Sequence, residues 1–384
     1  MRVLKVSFAY NPFLQMGGPP VKVQAIAERL VQRGHRVTVL TVNHGHPSHT
    51  EVREIGGVEV VYLGAIVRYR TLTINPGVAS FCLRRLREFD VVHIYGLYDL
   101  LGPVVSFSCR RWGIPQVLEP LGMYRPIVRS LRKKRLYHVL FGCHLKSYAA
   151  RIIATSAQER QQLHEDGLPH NKVILRRNGI DLIEFDVLPP RGLFHRKWDI
   201  EPEEKLILFL GRLVSIKSPD ILLRAFAMLP LMKARVVLAG PDERDGYRQL
   251  VEQTAQQLNL RKRVLITGPL YGQDKLEALV DADVFVLPSQ NESFGNAVAE
   301  AMACGVPVIV TERCGIASYV KDRAGLVVPH DIVALRDALQ RLLTDPSLSG
   351  RFKAQGPLVA QDLSWDEPVA QMETIYKELS GESC

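Results

Sequence analysis

Segments with the pattern of buried strands alternate with segments with the pattern of helices along nearly all of the 384 residues. Two early strands, Val3–Phe8 and Arg36–Thr41, flank a helical pattern at Val21–Arg33. A stretch rich in proline and charge interrupts the alternation between Asp186 and Lys205, and it restarts at Leu206–Leu210. Regular β/α alternation predicts parallel sheets with helices on both faces. The length suffices for two such doubly wound α/β domains.

Positive charge is concentrated in the first half of the chain. Residues 1–190 contain 26 Lys and Arg against 14 Asp and Glu, and the rest contains 23 against 26. Between residues 125 and 151, basic residues that include Arg132–Arg135 are interleaved with apolar ones in a helical pattern. This pattern suits an anionic membrane surface or a charged acceptor, and a solvated basic face is the alternative. Nucleic acid is not an expected partner because the chain lacks a base-reading motif.

The string ESFGNAVAE, which runs from Glu292 to Glu300, carries the clearest functional signal. It follows a predicted strand and opens a predicted helix at Gly295–Ala303. The first turn of a helix has unpaired N–H groups that bind anions. Glu300 lies roughly 7 Å further along the helix, about the reach from a phosphate to the ribose of one nucleotide. With Glu292 on the other side of the phosphate, the string predicts a site for a nucleotide sugar.

Two cations follow the predicted strand Leu206–Leu210. Gly211 and Arg212 come directly after it, and Lys217 lies a few residues further. An arginine fork and a lysine point charge together match the two negative charges of a diphosphate without a metal ion. A surface arginine and lysine on a loop is the alternative interpretation.

The N-terminal half offers weaker signals at the ends of its strands. Gly17 and Gly18 precede a helix, where backbone amides could approach a phosphate, although the proline pair that follows also suits a plain helix start. His93 is predicted to end a strand, where it could contact a sugar hydroxyl or assist proton transfer. A structural histidine is the alternative.

Several other chemistries are not expected. Asp281 and Asp283 resemble an Asp-x-Asp metal site, but Asp281 is better placed to cap a helix and Asp283 to face solvent. The cysteines and histidines show no zinc spacing, and no Cys-x-x-Cys pair occurs. We therefore expect no metal and no cofactor. The absence of a long apolar run and of a signal-peptide pattern predicts a reduced, cytoplasmic protein.

These strings resemble the retaining glycosyltransferases of family 4, which have the two-domain GT-B fold. The matches are GGPP at 17–20, DVVHIYG at 90–96, RNGID at 177–181, GRLVSIKS at 211–218, ADVFVLPSQNESFGNAVAEAMACGVPVI at 282–309 and LSWDE at 363–367. The resemblance implies two facing domains, an acceptor-binding domain at 1–186 and a donor-binding domain at 187–362. It also implies that residues 363–384 form a helix that packs back on the N-terminal domain.

The resemblance also implies roles for individual residues. Arg212 and Lys217 would bind the donor diphosphate, and Glu292 would contact the transferred sugar and Glu300 the ribose. Backbone groups would complete the donor site at these positions: Gly17, Gly18, Gly211, Gly268, Leu270, Phe294, Gly295 and Asn296. Leu121 stands where many relatives have His or Arg, and Tyr95 stands where many have His, which gives His93 more weight in the catalytic set.

We therefore predict a metal-independent, retaining transfer of a sugar from a nucleotide-diphosphate sugar to a glycan or lipid-linked acceptor. An enzyme of this kind would be cytoplasmic and could sit peripherally on the inner face of the cell membrane. A nucleotide-sugar epimerase or a sugar-phosphate synthase of the same fold is the enzymatic alternative. A non-catalytic nucleotide- or carbohydrate-binding protein is the alternative outside enzymes.

Overall fold

The structure is a computed structural model that describes residues 1–46, 49–69, 72–125, 131–230 and 233–381. It divides into two compact units. Unit 1 contains Met1–Gly179 and Trp365–Cys384, and unit 2 contains Ile180–Ser364. We had placed the boundaries after residues 186 and 362, so the short segment 180–186 belongs with unit 2 rather than with unit 1. Both units are doubly wound α/β units, which confirms the predicted fold class.

Unit 1 is built on an eight-stranded sheet in the order β10-β9-β8-β7-β1-β2-β4-β3. Its strands and a separate β5–β6 hairpin are β1 (Arg2–Val6), β2 (Arg36–Val42), β3 (Glu51–Ile55), β4 (Val58–Leu63), β5 (Val67–Tyr69), β6 (Leu72–Ile74), β7 (Val91–Tyr95), β8 (Gln116–Glu119), β9 (Arg151–Ala154) and β10 (Val173–Leu175). Its sheet is parallel except where β3 pairs with β4. The strands β3, β5, β6 and β10 were not predicted from the sequence; all four are short, and the first three are largely exposed.

The helices of unit 1 connect these strands. They are α1 (Gly18–Gln32), α2 (Gly77–Arg85), α3 (Leu101–Trp112), α4 (Leu131–Tyr137), α5 (Cys143–Tyr148) and α6 (Ala157–Glu165). A π-helical turn at His138–Gly142 joins α4 to α5, where the sequence predicted one continuous helix. Ser156 caps α6 by accepting a hydrogen bond from the Glu159 N–H at 3.1 Å.

Unit 2 contains a six-stranded parallel sheet in the order β13-β12-β11-β14-β15-β16. Its strands are β11 (Lys205–Leu210), β12 (Ala234–Ala239), β13 (Val264–Gly268), β14 (Val284–Leu287), β15 (Val308–Thr311) and β16 (Gly325–Val328). Most of their side chains are apolar and buried, as is typical of a sheet covered on both faces.

Unit 2 contains eight helices in the described part of the chain. They are α7 (Leu193–Lys197), α8 (Pro219–Ala227), α9 (Tyr247–Gln257), α10 (Gly272–Asp281), α11 (Asn296–Ala303), α12 (Ala317–Val320), α13 (Ile332–Thr344) and α14 (Pro346–Gln361). Helices α7, α12 and α14 were not predicted from the sequence; α7 and α12 are short, and α14 contains Gly350, Gly356 and Pro357.

The last helix, α15 (Asp366–Ser380), belongs to unit 1. Its buried side chains Val369, Met372, Ile375 and Tyr376 join the apolar cluster formed by α1 and one face of the sheet. Glu373 anchors the helix by accepting a hydrogen bond from Arg33 at 2.9 Å. Among the described residues, no helix has the length and apolar character needed to cross a membrane.

Candidate active site

The sheet of unit 2 reverses its strand order between β11 and β14. Both strands are parallel neighbours, with Ile207 opposite Val284 and Leu208 opposite Phe285, so their carboxyl ends open side by side. Ligands of doubly wound sheets bind in the crevice beyond such a reversal. The loop after β11 carries Arg212 and Lys217, and the loop after β14 leads to Glu292. The fold therefore brings the predicted cations and the predicted carboxylate to one edge.

Lys217 and Glu292 form an ion pair across this crevice. Both side chains are largely shielded from solvent, since they are 15% and 14% exposed. The backbone joins the same two loops, because Gln290 N–H donates to the Ile216 carbonyl at 2.8 Å. These contacts fix one positive and one negative group at the sheet reversal, and their roles toward a diphosphate and a sugar stay predictions.

A neighbouring loop holds the Glu292 segment in place. Glu292 N–H donates to the Arg313 carbonyl at 3.1 Å, and Gly315 N–H donates to the Glu292 carbonyl at 2.9 Å. Ile316 N–H continues the ladder to the Phe294 carbonyl at 2.9 Å. Short strand-like pairing of this kind removes freedom from the loop before any ligand binds.

The pairing leads directly into α11, the site helix. Gly295 precedes it at a φ of 109°, a backbone conformation that favours glycine. A Cβ there would lie 3.2 Å from Cγ2 of Ile316. Asn296 begins the helix one residue later than predicted, and Phe294 is buried. The first amides of α11 thus open on the same edge as Lys217, with the partial positive charge of a helix start.

Glu300 lies in the second turn of α11, half-buried, and has a partner that the sequence analysis missed. Oε2 of Glu300 is 3.2 Å from Nζ of Lys275, which comes from the start of α10. Lys275 also reaches Glu184 at 3.4 Å. Burial raises the pKa of Glu300, and the charge of Lys275 acts in the opposite direction. The sequence feature that could have identified Lys275 is its position one turn into a helix that begins at the ligand edge.

Arg212 points to a different partner. Its side chain is 51% exposed and lies 2.8 Å from Glu243, in the loop after β12. Exposed pairs of this kind contribute little free energy, so a bound anion could displace Glu243 from the guanidinium. The described structure shows no contact between Arg212 and either Lys217 or Glu292.

The glycines beside Arg212 allow two strand ends to approach each other. Gly211 N–H donates to the Ala239 carbonyl at 2.9 Å. A Cβ on Gly240, which the sequence analysis did not single out, would lie 1.8 Å from the Gly211 carbonyl oxygen. Gly240 N–H donates in turn to Gly268 at the end of β13. Gly268 and the half-buried Leu270 therefore lie along the same edge, where the nucleobase was predicted.

Gly17 and Gly18 lie at the start of α1 in unit 1. Gly17 has a φ of 123° and precedes the helix, while Gly18 is its first residue. This is the arrangement that the sequence predicted for amides approaching a phosphate. Their contribution to a donor site stays a prediction.

His93 does not lie at a strand end. It is the third of five residues in β7, and its ring is fully buried. Nδ1 lies 2.5 Å from the Tyr376 hydroxyl, and Nε2 lies 3.5 Å from Glu119. Burial and the nearby cations lower its pKa well below the ordinary value. This geometry favours a structural role, because the strand extends two residues further and α15 covers the ring.

His93 belongs to a buried polar cluster, defined here as Lys5, Lys22, His93, Tyr95, Glu119, Arg176 and Tyr376. Oε1 of Glu119 accepts hydrogen bonds from Lys22 at 2.7 Å and from Arg176 at 2.8 Å. Lys5 donates to the Tyr95 hydroxyl at 2.7 Å. The departure at Tyr95 therefore has a packing explanation, because its hydroxyl serves this cluster.

The ends of β7 and β8 contain unusual backbone conformations. Tyr98 and Leu121 both have positive φ, at 69° and 60°, and Gly96 and Gly122 are also positive. Residues other than glycine rarely adopt this region, and such strain clusters at functional sites. Leu121 thus lies at the ligand edge of unit 1 even though its side chain is apolar.

Asp281 and Asp283 lie at the opposite, amino-terminal end of β14. Asp281 caps α7 by accepting from the His195 N–H at 2.9 Å and pairs with the His195 ring at 3.0 Å. Asp283 was expected in solvent but is buried, where it accepts from the Leu206 N–H at 2.9 Å and pairs with Arg191. Both carboxylates thus stabilise the fold. In the described residues, no group of three or more His, Cys, Asp or Glu could hold a metal ion.

Comparison with known proteins gives one consistent result. A family model described as Glycosyl transferases group 1 matches residues 191–359, and one described as Glycosyl transferase 4-like domain matches residues 17–179. The chain belongs to the family 4 glycosyltransferases. This confirms the resemblance drawn from the sequence and confirms that the protein is an enzyme. The family matches therefore argue against the alternative of a non-catalytic binding protein.

Individual relatives of this glycosyltransferase agree. A D-inositol 3-phosphate glycosyltransferase of Thermobifida fusca is 29% identical over 406 residues, covering 98% of this chain and 93% of the relative. The solved structure of sucrose-phosphate synthase from Thermosynechococcus elongatus has a TM-score of 0.80 at 23% identity and covers both chains completely. HepE of Anabaena, solved with UDP and glucose, has a TM-score of 0.81 at 18% identity and covers 98% of this chain and 100% of HepE. The solved structures share the GT-B fold with this chain.

Proposed function

We propose that this glycosyltransferase moves a sugar from a nucleotide-diphosphate sugar to an acceptor, with retention of configuration and without a metal ion. The observation that carries the proposal is the Lys217–Glu292 ion pair at the reversal of the unit 2 sheet, beside the start of α11. Such a site places a cation and helix amides on a diphosphate and a carboxylate on the adjoining sugar. UDP is the first nucleotide to test, because HepE is described in complex with UDP-glucose.

In the proposed reaction the bond between the sugar C1 and the diphosphate oxygen breaks as negative charge grows on that oxygen. Lys217, Arg212 and the first amides of α11 would stabilise this charge, which is the usual source of rate enhancement at such a site. The acceptor oxygen bonds to C1 on the same face, and its proton passes to the departing phosphate oxygen. Glu292 would hold the sugar hydroxyls. Because the acceptor oxygen bonds directly to C1, no protein nucleophile is required.

The experiment is a turnover assay with UDP-sugars for the wild type and three variants, Glu292→Gln, Arg212→Ala and Lys217→Ala. We expect large losses of activity with melting temperatures close to that of the wild type. Lys197→Met, which removes an exposed lysine bound only to Asp274 in the described structure, is the control for loss of charge. Near-normal turnover in all three variants would refute the proposal, and inhibition by a chelator would refute its metal independence.

A second observation concerns the acceptor. Along α4 and the π-helical turn, Leu136, Val139 and Leu140 are 59%, 69% and 51% exposed. Arg132, Lys133 and Arg135 flank them and are also exposed, while residues 126–130 of the predicted segment lie outside the described residues. Exposed apolar groups beside cations suit the interface of an anionic membrane. We propose that this face binds such a membrane and that the acceptor is lipid-linked.

Binding to vesicles tests this part independently of catalysis. We expect the protein to sediment with phosphatidylglycerol-containing vesicles and to be released by salt. Charge reversal of Arg132 and Arg135 should weaken binding, and so should Leu136→Ser with Val139→Ser. Reversal of Arg341, which is also exposed and lies in α13, is the control. Vesicle binding that is affected neither by salt nor by these substitutions would contradict the proposal.

A further inference from the structure

The two glutamates of the site helix region have matching environments. Glu292 pairs with Lys217 from the loop after β11, and Glu300 pairs with Lys275 from α10. Lys217 is part of the proposed diphosphate site, whereas Lys275 has no role in the function proposed above. Its position against Glu300 makes it a candidate for a second role in the recognition of the donor.

Lys275 is held from two sides. Its side chain is mostly buried, and Nζ lies 3.2 Å from Glu300 and 3.4 Å from Glu184. Nζ also lies 5.9 Å from the centre of the Phe185 ring, in the same short 3-10 helix as Glu184. A lysine ammonium in such a place loses hydration, so the two carboxylates must hold its charge. Burial lowers the pKa of Lys275, but Glu300 and Glu184 more than offset this, so its pKa is raised.

The two carboxylates are not equivalent. Glu184 is 58% exposed, so water solvates much of its charge, whereas Glu300 is much less exposed. A carboxylate that accepts from ribose hydroxyls must be ionised and fixed in one orientation, since hydrogen bonds to a charged acceptor are the stronger ones. Contact of Lys275 with Oε2 supplies both conditions and leaves Oε1 to a hydroxyl.

We propose that Lys275 is a positioning residue for the donor ribose, acting through Glu300 to select nucleoside diphosphates that carry free ribose hydroxyls. The inference rests on the proposed function, because it takes Glu300 as the ribose ligand. Lys275 itself need not touch the nucleotide. Its effect therefore depends on the presence of the ribose hydroxyls and of the Glu300 carboxylate.

The pH dependence of binding should reveal this role. The groups that face Glu300 are Lys275 from α10, Glu184 from the 3-10 helix and Cys304 on α11 itself. Burial raises the pKa of Glu300, and removal of Lys275 would raise it further. Binding that needs the carboxylate is present above this pKa and is lost as the pH falls through it. Loss of affinity on acidification should therefore begin at a higher pH in Lys275→Met.

The experiment measures the Kd of UDP and of 2′,3′-dideoxy-UDP by calorimetry between pH 5 and pH 8. We expect Lys275→Met to weaken UDP binding about 10-fold at pH 7, the loss of one charge-assisted interaction, and to leave dideoxy-UDP binding unchanged. Lys275→Arg should restore part of the affinity. Lys197→Met is the matched control, because its partner Asp274 is the residue before Lys275. Glu184→Gln should change the affinity by less than about 2-fold, as expected for an exposed partner.

A double-mutant cycle separates action through Glu300 from a general loss of structure. In a Glu300→Gln background, Lys275→Met should have little further effect on UDP binding. The inference would be overturned if Lys275→Met lost equal affinity for UDP and dideoxy-UDP, or if it bound UDP as tightly as the wild type. Neither result would contradict the donor site itself. If the wild type binds none of UDP, ADP and GDP, the proposed function fails and this inference fails with it.

Discussion

The ligand edges of the two sheets handle charge in opposite ways. In unit 2, Arg212, Lys217 and Glu292 lie on loops beyond the strand ends, and each is paired with a single partner and open to some solvent. In unit 1, most of the buried polar cluster lies within strands, the rest comes from α1, α15 and the end of β10, and Glu119 and His93 are fully buried. Loop charges with one partner can exchange it for a ligand. Charged side chains that are buried beneath a helix, as in unit 1, can only stabilise the packing.

The difference arises from α15. Tyr376 of this helix lies over His93 and Lys5, at 2.5 Å and 3.3 Å. Lys217 and Glu292 of unit 2 keep 15% and 14% of their side-chain surface exposed, whereas the side chains of His93 and Glu119 keep none. Similar residue types at similar sheet positions therefore serve stability in one unit and, in our proposal, chemistry in the other.

The largest expected effect concerns Glu119. Glu119→Gln removes the carboxylate that holds Lys22 and Arg176 and leaves two buried cations without it. We expect a loss of about 3–5 kcal/mol in the free energy of unfolding, measured by urea titration. Glu59→Gln, which removes a partner of Arg85 whose side chain is 38% exposed, should cost less than about 1 kcal/mol. Equal losses of unfolding free energy in the two variants would show that the buried polar cluster stabilises the fold no more than an exposed ion pair does.

The next effect separates the two cations of the proposed donor site. Lys217→Ala should lower kcat by about 10²–10³, as for other groups that stabilise a developing oxyanion. Arg212→Ala should lower it less, because that side chain is exposed and bound to Glu243. Steady-state kinetics with a UDP-sugar measure both. A larger loss for Arg212 would show that the guanidinium moves onto the diphosphate when the donor binds.

A smaller effect tests the cover that α15 provides. Tyr376→Phe removes the hydroxyl beside Nδ1 of His93 and leaves that buried nitrogen unsatisfied. We expect a loss of roughly 1–3 kcal/mol in unfolding free energy and little change in UDP binding. Differential urea titration and calorimetry measure the two. A strong loss of UDP binding with unchanged stability would place Tyr376 in the ligand site instead.

A further effect is a change of the unfolding free energy with pH. Burial, with a further contribution from Arg176, lowers the pKa of Lys5 to about 7. The unfolded chain therefore binds more protons than the folded chain between about pH 7 and pH 10, so the unfolding free energy should rise with pH over this range. Lys5→Met should flatten this rise, as measured by urea titrations at pH 7 and pH 9. An unchanged slope would show that Lys5 keeps its charge in the folded protein.

Much of the molecule follows from local sequence. Apolar strands such as Leu206–Leu210 and Val284–Leu287 were predicted because a sheet covered on both faces needs continuous apolar runs. The string from Glu292 to Glu300 predicted the site helix, because Gly295 marks the positive-φ residue at its start. The sequence resemblance also predicted the family that the comparisons confirm.

Other features depend on contacts between distant residues. Helix α14 contains Gly356, which interrupts a local helical pattern, yet a Cβ there would lie 2.9 Å from the Met302 carbonyl oxygen. The glycine is required for α14 to approach α11, and only the packed fold shows this. Lys275 escaped prediction for a similar reason, since its partners Glu184 and Glu300 lie far from it in sequence.

The strand–helix order, the glycine before the site helix and the types of charged residue at the strand ends all follow from local sequence, because propensity, turn geometry and charge are local properties. Which of those charges face a partner across a loop, and which are enclosed, depends on the packing of distant segments. That choice depends on hydration, and hydration depends on what packs over each residue. His93 and Lys217 show the outcome: α15 covers the histidine, whereas the lysine stays beside Glu292 at the open edge.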